Sequence, residues 1–256
     1  MPRTVTATRY LTPLREGGSL PAIVEADDDG TYVLKFRGAG QGPLALLAEQ
    51  VSGEIGRLLG LRVPELVLME VDQALGRNEP DQEIRELILA STGLNLGMDY
   101  LPGSVTFDPG TKPTVDPWEA SAGVWFDAFV TNIDRTARNT NLLWWHRKLY
   151  FIDHGASLYF HHNWQDVERR AAAPFPAVRD HVLLPWASEL ARVDAEFRGK
   201  LTLGSFEAIL AEVPDAWLRP EPGAETPDEK RRAYAGYFMK RLESAPFLEE
   251  AIRARV

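Results

Sequence analysis

A chain of 256 residues, 45% hydrophobic and 25% charged, has an ordinary globular composition and is long enough for one large domain or two closely packed lobes. Its net charge of −9 argues against a broad polyanion-binding surface, so nucleic acid is not an expected partner. With no cysteine there is no disulfide, thiolate metal site or thiol nucleophile, and no run of about 18 apolar residues marks a membrane span.

In chain order, the first informative stretch is REGGSLP at 15–21. Gly17, Gly18 and Ser19 are small enough to bring backbone N–H groups close to a phosphate, although an ordinary loop reads equally well. PAIVEA (21–26) and TYVLKF (31–36) flank Asp27-Asp28-Asp29-Gly30, which predicts a β-hairpin with a D-G turn. Alternation sets Val33 and Lys35 on one face, and Tyr32, Leu34 and Phe36 on the other. Lys35 is either paired with an anion or an edge-strand lysine that discourages aggregation.

Past the glycine-rich stretch 37–42, Leu44, Leu47, Val51, Ile55 and Leu58 recur at helical spacing, and Gly60 stops the helix. Two acids on it are possible partners of Lys35. Periodicity puts Glu54 beside the apolar stripe and Glu49 opposite, which favours Glu54. A helix sandwiched between two layers would instead turn Glu49 inward.

Residues 65–71 read as a strand, 72–82 as a polar loop, and 83–91 as an amphipathic segment. An extended crossing at 93–101 runs into Pro102-Gly103, a pattern suited to a connection between lobes. Kinases hold adenine with backbone groups at such a crossing, which makes Asp99, Tyr100 and Leu101 candidates, and a plain strand end reads at least as well. After a loop at 104–116, a helix is expected from Pro117-Trp118, with Trp118, Ala122, Trp125, Phe126 and Phe129 as its apolar face. Residues 141–145 and 149–153 predict a hairpin turning at His146-Arg147-Lys148. The adjacent His161 and His162 would point apart and make a poor zinc pair. Helices are expected at 180–195, 204–212 and 227–253, with EKRR at 229–232 as a solvated face.

Chemistry concentrates in 126–158, FDAFVTNIDRTARNTNLLWWHRKLYFIDHGASL. Asp134 is followed five residues later by Asn139, and after the hairpin comes Asp153 in Ile152-Asp153-His154-Gly155. Protein kinases use this order: an Asp orients the acceptor hydroxyl and takes its proton, while an Asn five positions on and the Asp of D-x-G hold magnesium. One carboxylate must stay clear of metal to face the nucleophile, and hard oxygen ligands fix Mg²⁺ against the phosphates. With these residues downstream, Lys35 reads better as a phosphate-pairing lysine.

On these residues the sequence resembles the HipA-like kinases, in particular their short, free-standing branch. The likeness rests on GGSLPAIVEA, YVLKFRGAGQG, AEQVSGEIGRLLGLRVPE, the G-x-x-x-G-x-x-Y-L-P-G crossing, NIDRTARNTNLL and FIDHG, and it spans about residues 15–158. It implies an α+β, bilobed protein-kinase-like fold that uses ATP and Mg²⁺. A small β-rich N-lobe would occupy residues 1–101, and a mainly helical C-lobe 102–256. Carried over by position, Lys35 contacts the nucleotide phosphates with Glu49 as its partner, and Asp134 is the catalytic base. Asn139 and Asp153 hold magnesium, and Gly17, Gly18 and Ser19 lie in the phosphate-covering loop. His154 stands where protein kinases have the Phe of D-F-G, and Asn132 where they have the His of H-R-D. About 15 residues precede Gly17, so the toxin behaviour of longer relatives with an extra N-terminal region is not carried over.

The expected activity is ATP-dependent transfer of the γ-phosphoryl group to a hydroxyl, on a protein Ser or Thr. The alternatives are a kinase-like nucleotide-binding scaffold and a small-molecule phosphotransferase. No membrane partner is expected, and without an apolar N-terminal leader the default location is the cytoplasm.

Overall fold

The computed structural model describes residues 2–14, 20–40, 42–77 and 79–255, with the side chain of Ser244 excepted. Gly17, Gly18 and Ser19 lie outside the described residues. Among those described, the fold is mixed α+β, with its longer strands before residue 100 and most of its helices after 117.

Five strands close into a barrel: β1 (Thr4–Pro13), β2 (Ala22–Ala26), β3 (Thr31–Lys35), β4 (Leu66–Val71) and β5 (Gly93–Asp99), in the order β1-β2-β3-β5-β4. The expected hairpin is β2–β3, with Ala22 opposite Leu34 and Glu25 opposite Thr31. Strand β1 is absent from the expectations above. Its Thr4-Val5-Thr6-Ala7 alternation points Val5 and Ala7 into the barrel and leaves the threonines outside. The barrel closes where β1 runs parallel to β4 over three pairs, Thr4–Leu68 to Thr6–Glu70. Val24, Tyr32, Leu34, Val67 and Met69 fill the interior, and Ile84 and Ile88 of α2 (Gln82–Ala90) pack against them.

Helix α1 (Pro43–Leu59) starts on a proline at its first turn and ends at Gly60, whose φ of 96° only glycine adopts freely. Every residue from Leu46 to Gly53, more than two full turns, is buried, so α1 is covered on all its faces there. That all-round burial is why Glu49, on the face opposite the apolar stripe, is also fully buried.

Phe126 belongs to α3 (Pro117–Val130), which Asp116 caps through Glu119 N–H at 3.0 Å. The expected single apolar face understates this helix, because every residue from Ala120 to Val130 is buried. On one side it meets a three-stranded sheet of β6 (Val105–Thr106), β7 (Leu142–Trp145) and β8 (Lys148–Phe151). Gly123 allows that contact, since a Cβ there would sit 2.6 Å from the Phe151 ring. Lys148 pairs with Trp145 and so belongs to β8, leaving a two-residue turn at His146-Arg147. Both turn residues have positive φ, 48° and 62°, the form whose twist suits a hairpin.

The remaining helices are α4 (Val167–Ala171), α5 (Leu190–Arg198), α6 (Leu203–Ala211), α7 (Pro227–Ser244) and α8 (Pro246–Arg255). The helix expected at 180–195 begins only at Leu190. Short 3₁₀ turns at Pro176–Asp180 and Leu184–Trp186 precede it, because Pro185 removes a helical donor. The expected 227–253 helix breaks at Ala245, ahead of Pro246, for the same reason. The EKRR face is not uniformly solvated either. Lys230 is buried with its ammonium 3.2 Å from the centre of the Trp164 ring. Arg241 of α7 donates to the Ala128 and Phe129 carbonyls at 2.6 Å each, closing the C-terminal end of α3.

Candidate functional site

Three elements distant in sequence meet at Lys35. Its strand register turns the side chain out of the barrel, toward α1 and the loop that follows β8. Nζ lies 2.5 Å from Glu49 Oε2 and 2.6 Å from Asp153 Oδ1. Glu49 Oε2 also accepts the His154 backbone N–H at 2.8 Å, so one carboxylate ties strand, helix and loop together. The His154 ring is buried edge-on to Phe126, at 5.5 Å between centroids. Glu54, the partner that helical periodicity favours, sits elsewhere and faces Arg57 at 3.6 Å. The periodicity argument fails because it presumes one buried face, whereas α1 is buried on both.

Burial alone would push Glu49 toward its neutral form, but the Lys35 charge and the His154 contact more than offset this and hold it down to about 2. Lys35 is likewise driven toward neutrality by burial, and the charges of Asp153 and Glu49 raise it above its ordinary value instead. A depressed carboxylate stabilises the fold above its unfolded value, and that contribution is lost as pH falls through the folded one. For Glu49 the window runs from about 4.5 down to about 2. Glu49→Gln should therefore cost on the order of 3 kcal/mol at neutral pH, with the gap closing below about pH 3. Urea titrations of both proteins across pH 2–7 check this, and a gap independent of pH would refute it.

Asp134 and Asn139 lie in the loop that follows α3. Thr131 leaves the helix in a left-handed conformation, and Asn132 folds back, donating its backbone N–H to the Asp127 carbonyl at 2.8 Å. The Asn132 side-chain oxygen accepts the Asp134 N–H at 3.1 Å. Asn139 Nδ2 donates to Asp134 Oδ2 at 2.7 Å, which leaves the amide oxygen of Asn139 directed away from the carboxylate. Burial, followed by the nearby charge of Asp153, pushes Asp134 above the usual carboxylate range. Asp153 itself has a φ of 54°, a left-handed backbone that a non-glycine residue adopts only when its surroundings impose it.

The residue before Asp153, Ile152, is held by a buried network that no local sequence pattern discloses. Asp127 of α3 accepts from Arg135 Nε at 2.5 Å, Asn132 Nδ2 at 2.9 Å and His181 Nε2 at 2.8 Å. His181 Nδ1 accepts the Leu183 N–H at 3.0 Å, which assigns the ring proton to Nε2. Arg135 also donates to the carbonyls of Asn141 and Ile152, the residues flanking the β7–β8 hairpin. One guanidinium thus sets the hairpin, and Asp153 at its end, relative to Asp134. Burial would push Asp127 up, but the charge of Arg135 and then the His181 bond hold it well below the ordinary range. The available signal was the acid itself: Asp127 interrupts an apolar helix, where an acid needs a partner.

The crossing residues end β5. Asp99 N–H donates to Glu65 and Tyr100 N–H to Thr31, while the Leu101 carbonyl accepts from Ser104. This leaves the Leu101 N–H without a backbone partner among the described residues. Also among the described residues, no three His, Cys, Asp or Glu side chains are grouped to hold a metal unaided. Magnesium does not need such a group, since it binds through one or two carboxylates plus substrate phosphates. Asp153, with one oxygen on Lys35, and the amide oxygen of Asn139 fit that donor set.

The fold is that of a kinase. The crystal structure of the Helicobacter pylori proinflammatory kinase CtkA is similar with a TM-score of 0.58 at 10% identity, covering 99% of this chain and 98% of that one. The crystal structure of the golgi casein kinase is similar at 12% identity and a TM-score of 0.49, over 94% of this chain and 74% of that one. No curated protein matches the sequence. The family model described as HipA-like kinase matches residues 8–251, nearly the whole length, and the chain belongs to that family. It is accordingly an enzyme of the kinase type. No helix of the described residues is long and apolar enough to cross a membrane.

Proposed function

We propose that the protein is an ATP- and Mg²⁺-dependent kinase that transfers the γ-phosphoryl group to a hydroxyl on a protein Ser or Thr. In this reading residues 1–101 and 102–256 are the two lobes of a bilobed kinase, and the nucleotide lies between them. The observation that carries it is the convergence on Lys35 of Glu49 from α1 and Asp153 from the loop after β8. Such a buried lysine, held charged by a helix acid, is what a polyphosphate needs.

The geometry supports the following roles. Lys35 neutralises phosphate oxygens, and Glu49 keeps its ammonium aimed. Asp153 and Asn139 would hold magnesium, which supplies charge neutralisation on the phosphates when bound. Asp134, raised by burial and by Asp153, accepts the proton of the acceptor hydroxyl. The acceptor oxygen forms a bond to the γ-phosphorus as the bond from that phosphorus to its bridging oxygen breaks, leaving ADP. Leu101 N–H, without a backbone partner among the described residues, is the donor at the crossing suited to the base. Gly17, Gly18 and Ser19 are proposed to cover the phosphates. Ile133, Ala137, Arg138 and Asn139 are exposed, so a macromolecular acceptor has access to the loop that carries Asp134.

Thermal melting with ATP, with and without Mg²⁺, tests the nucleotide site. Ligand at about 100 times its dissociation constant adds roughly 2.7 kcal/mol, a rise on the order of 5 °C for a chain of this size. The rise should require Mg²⁺ and vanish in Asp153→Ala. No shift at millimolar ATP would sink the reading.

A further inference from the structure

A cavity of about 430 Å³ adjoins the loop that carries Asp134. Its lining includes Ala137 of that loop, the apolar Pro109, Leu184 and Trp186, and the guanidinium-bearing Arg179 and Arg255. The far wall is held firmly to the loop. Thr136 bridges His181, Val182 N–H donates to the Arg135 carbonyl at 3.1 Å, and His181 is anchored on Asp127. Trp186 is fixed edge-on to Phe107 at 6.1 Å. The cavity is therefore a fixed attachment of the site, shaped before any acceptor arrives.

Its charge differs from that of the whole molecule. The chain carries −9, yet the lining holds two arginines against one carboxylate, Asp180, and the exposed Arg138 lies next to Ala137 in the chain. Arg179 is anchored by Nε on the Pro176 carbonyl at 3.0 Å, and Glu250 approaches one end of its guanidinium at only 3.8 Å. Its side chain is 63% exposed. Arg255 and Arg138 have no ion pair among the described residues. These charges are open to an incoming group.

Resting on the kinase reading above, we propose that this cavity is the acceptor subsite and that it selects an acidic peptide segment beside the phosphorylated hydroxyl. Ala137 is three positions on from Asp134, a span of at most about 11 Å along an extended chain. An extended acceptor rising about 3.3 Å per residue then sets its Asp or Glu two to four positions from the hydroxyl. The carboxylate meets Arg179 and Arg255, and an adjacent apolar side chain lies on Trp186 and Leu184. Asp180 in the same wall repels carboxylates only locally, and it confines the favoured position to the arginine side.

The test is equilibrium binding without nucleotide, which separates it from the kinase reading. Fluorescein-labelled nine-residue peptides with a central Ser, and Glu, Ala or Lys at positions two to four from it, are titrated with wild-type protein and followed by anisotropy. The Glu peptide should bind roughly tenfold tighter than the Lys peptide, the discrimination that two exposed charge pairs supply. The preference should shrink as salt rises. R179E/R255E, two surface changes whose folding is verified by an unchanged melting curve, should invert it toward the Lys peptide. Equal affinity for the Glu and Lys peptides, indifference to the double reversal, or no binding of any peptide at millimolar concentration would overturn the proposal. A failed nucleotide shift with intact peptide selectivity would instead count against the kinase reading alone.

Discussion

Asp134→Ala is expected to lower phosphoryl transfer by about 10²- to 10⁴-fold, the usual contribution of a positioned base, while the ATP-induced melting shift stays nearly intact. Asp134 bonds to Asn139 and to Asn132 of its own loop, and among the described residues no hydrogen bond or ion pair joins it to Lys35 or Glu49. Its loss therefore leaves the proposed phosphate-binding groups standing. Asp153→Ala should behave differently, because Asp153 holds Lys35 directly and is a proposed magnesium ligand. In that variant transfer and Mg²⁺-dependent binding should fall together. Single-turnover assays with radiolabelled ATP, run beside melting curves, separate the two patterns. Full transfer in either variant would remove that residue from its role.

The second large effect concerns stability. Asp127→Ala should cost roughly 3–5 kcal/mol, because it strands the buried Arg135 without its counter-charge and leaves His181 Nε2 without an acceptor. Urea unfolding measures this. Removing both charges, as in Asp127→Leu with Arg135→Met, should recover most of the loss, since well-packed apolar pairs often replace buried ion pairs at little cost. Transfer should nevertheless remain low in the double variant, because Arg135 also fixes the Asn141 and Ile152 carbonyls on either side of the hairpin. A stable double variant with wild-type turnover would show that the network serves folding only.

Those two predictions differ in how far the sequence alone discloses their residues. Asp134, Asn139 and Asp153 stand out as candidates because the roles proposed for them depend on spacing along one continuous stretch. The hairpin between them announces itself by β-rich runs and a turn. Lys35 is legible because a charge in an apolar strand is conspicuous. The Lys35 partner is another matter. Periodicity on α1 favours Glu54 over Glu49, because a one-dimensional pattern assumes one wet face, while α1 is buried all round from Leu46 to Gly53. Asp127 and His181 are 54 residues apart, and nothing local couples them before the chain folds. Lys230 hides for a similar reason: among Glu229, Arg231 and Arg232 it looks solvated, yet Trp164 comes from another segment to cover it. Strand β1 is harder to see because its exposed threonines and small buried Val5 and Ala7 give a weak apolar signal.

The three-pair parallel contact between β1 and β4 has a consequence for how copies of the protein treat one another. A sheet that closes on itself has no rim of unpaired N–H and C=O groups, so the barrel cannot recruit a strand from a neighbour while the contact holds. Every other seam of the barrel has four or more pairs, and this one has three. It is therefore the seam expected to fray first on warming. Fraying would bare the edge of β4 from Leu68 to Glu70 and uncover Val5, turning a self-contained barrel into a template for cross-molecule strand exchange. Substitutions at residues 4–6, far from the site where the chemistry is proposed to occur, are therefore expected to promote heat-driven clumping.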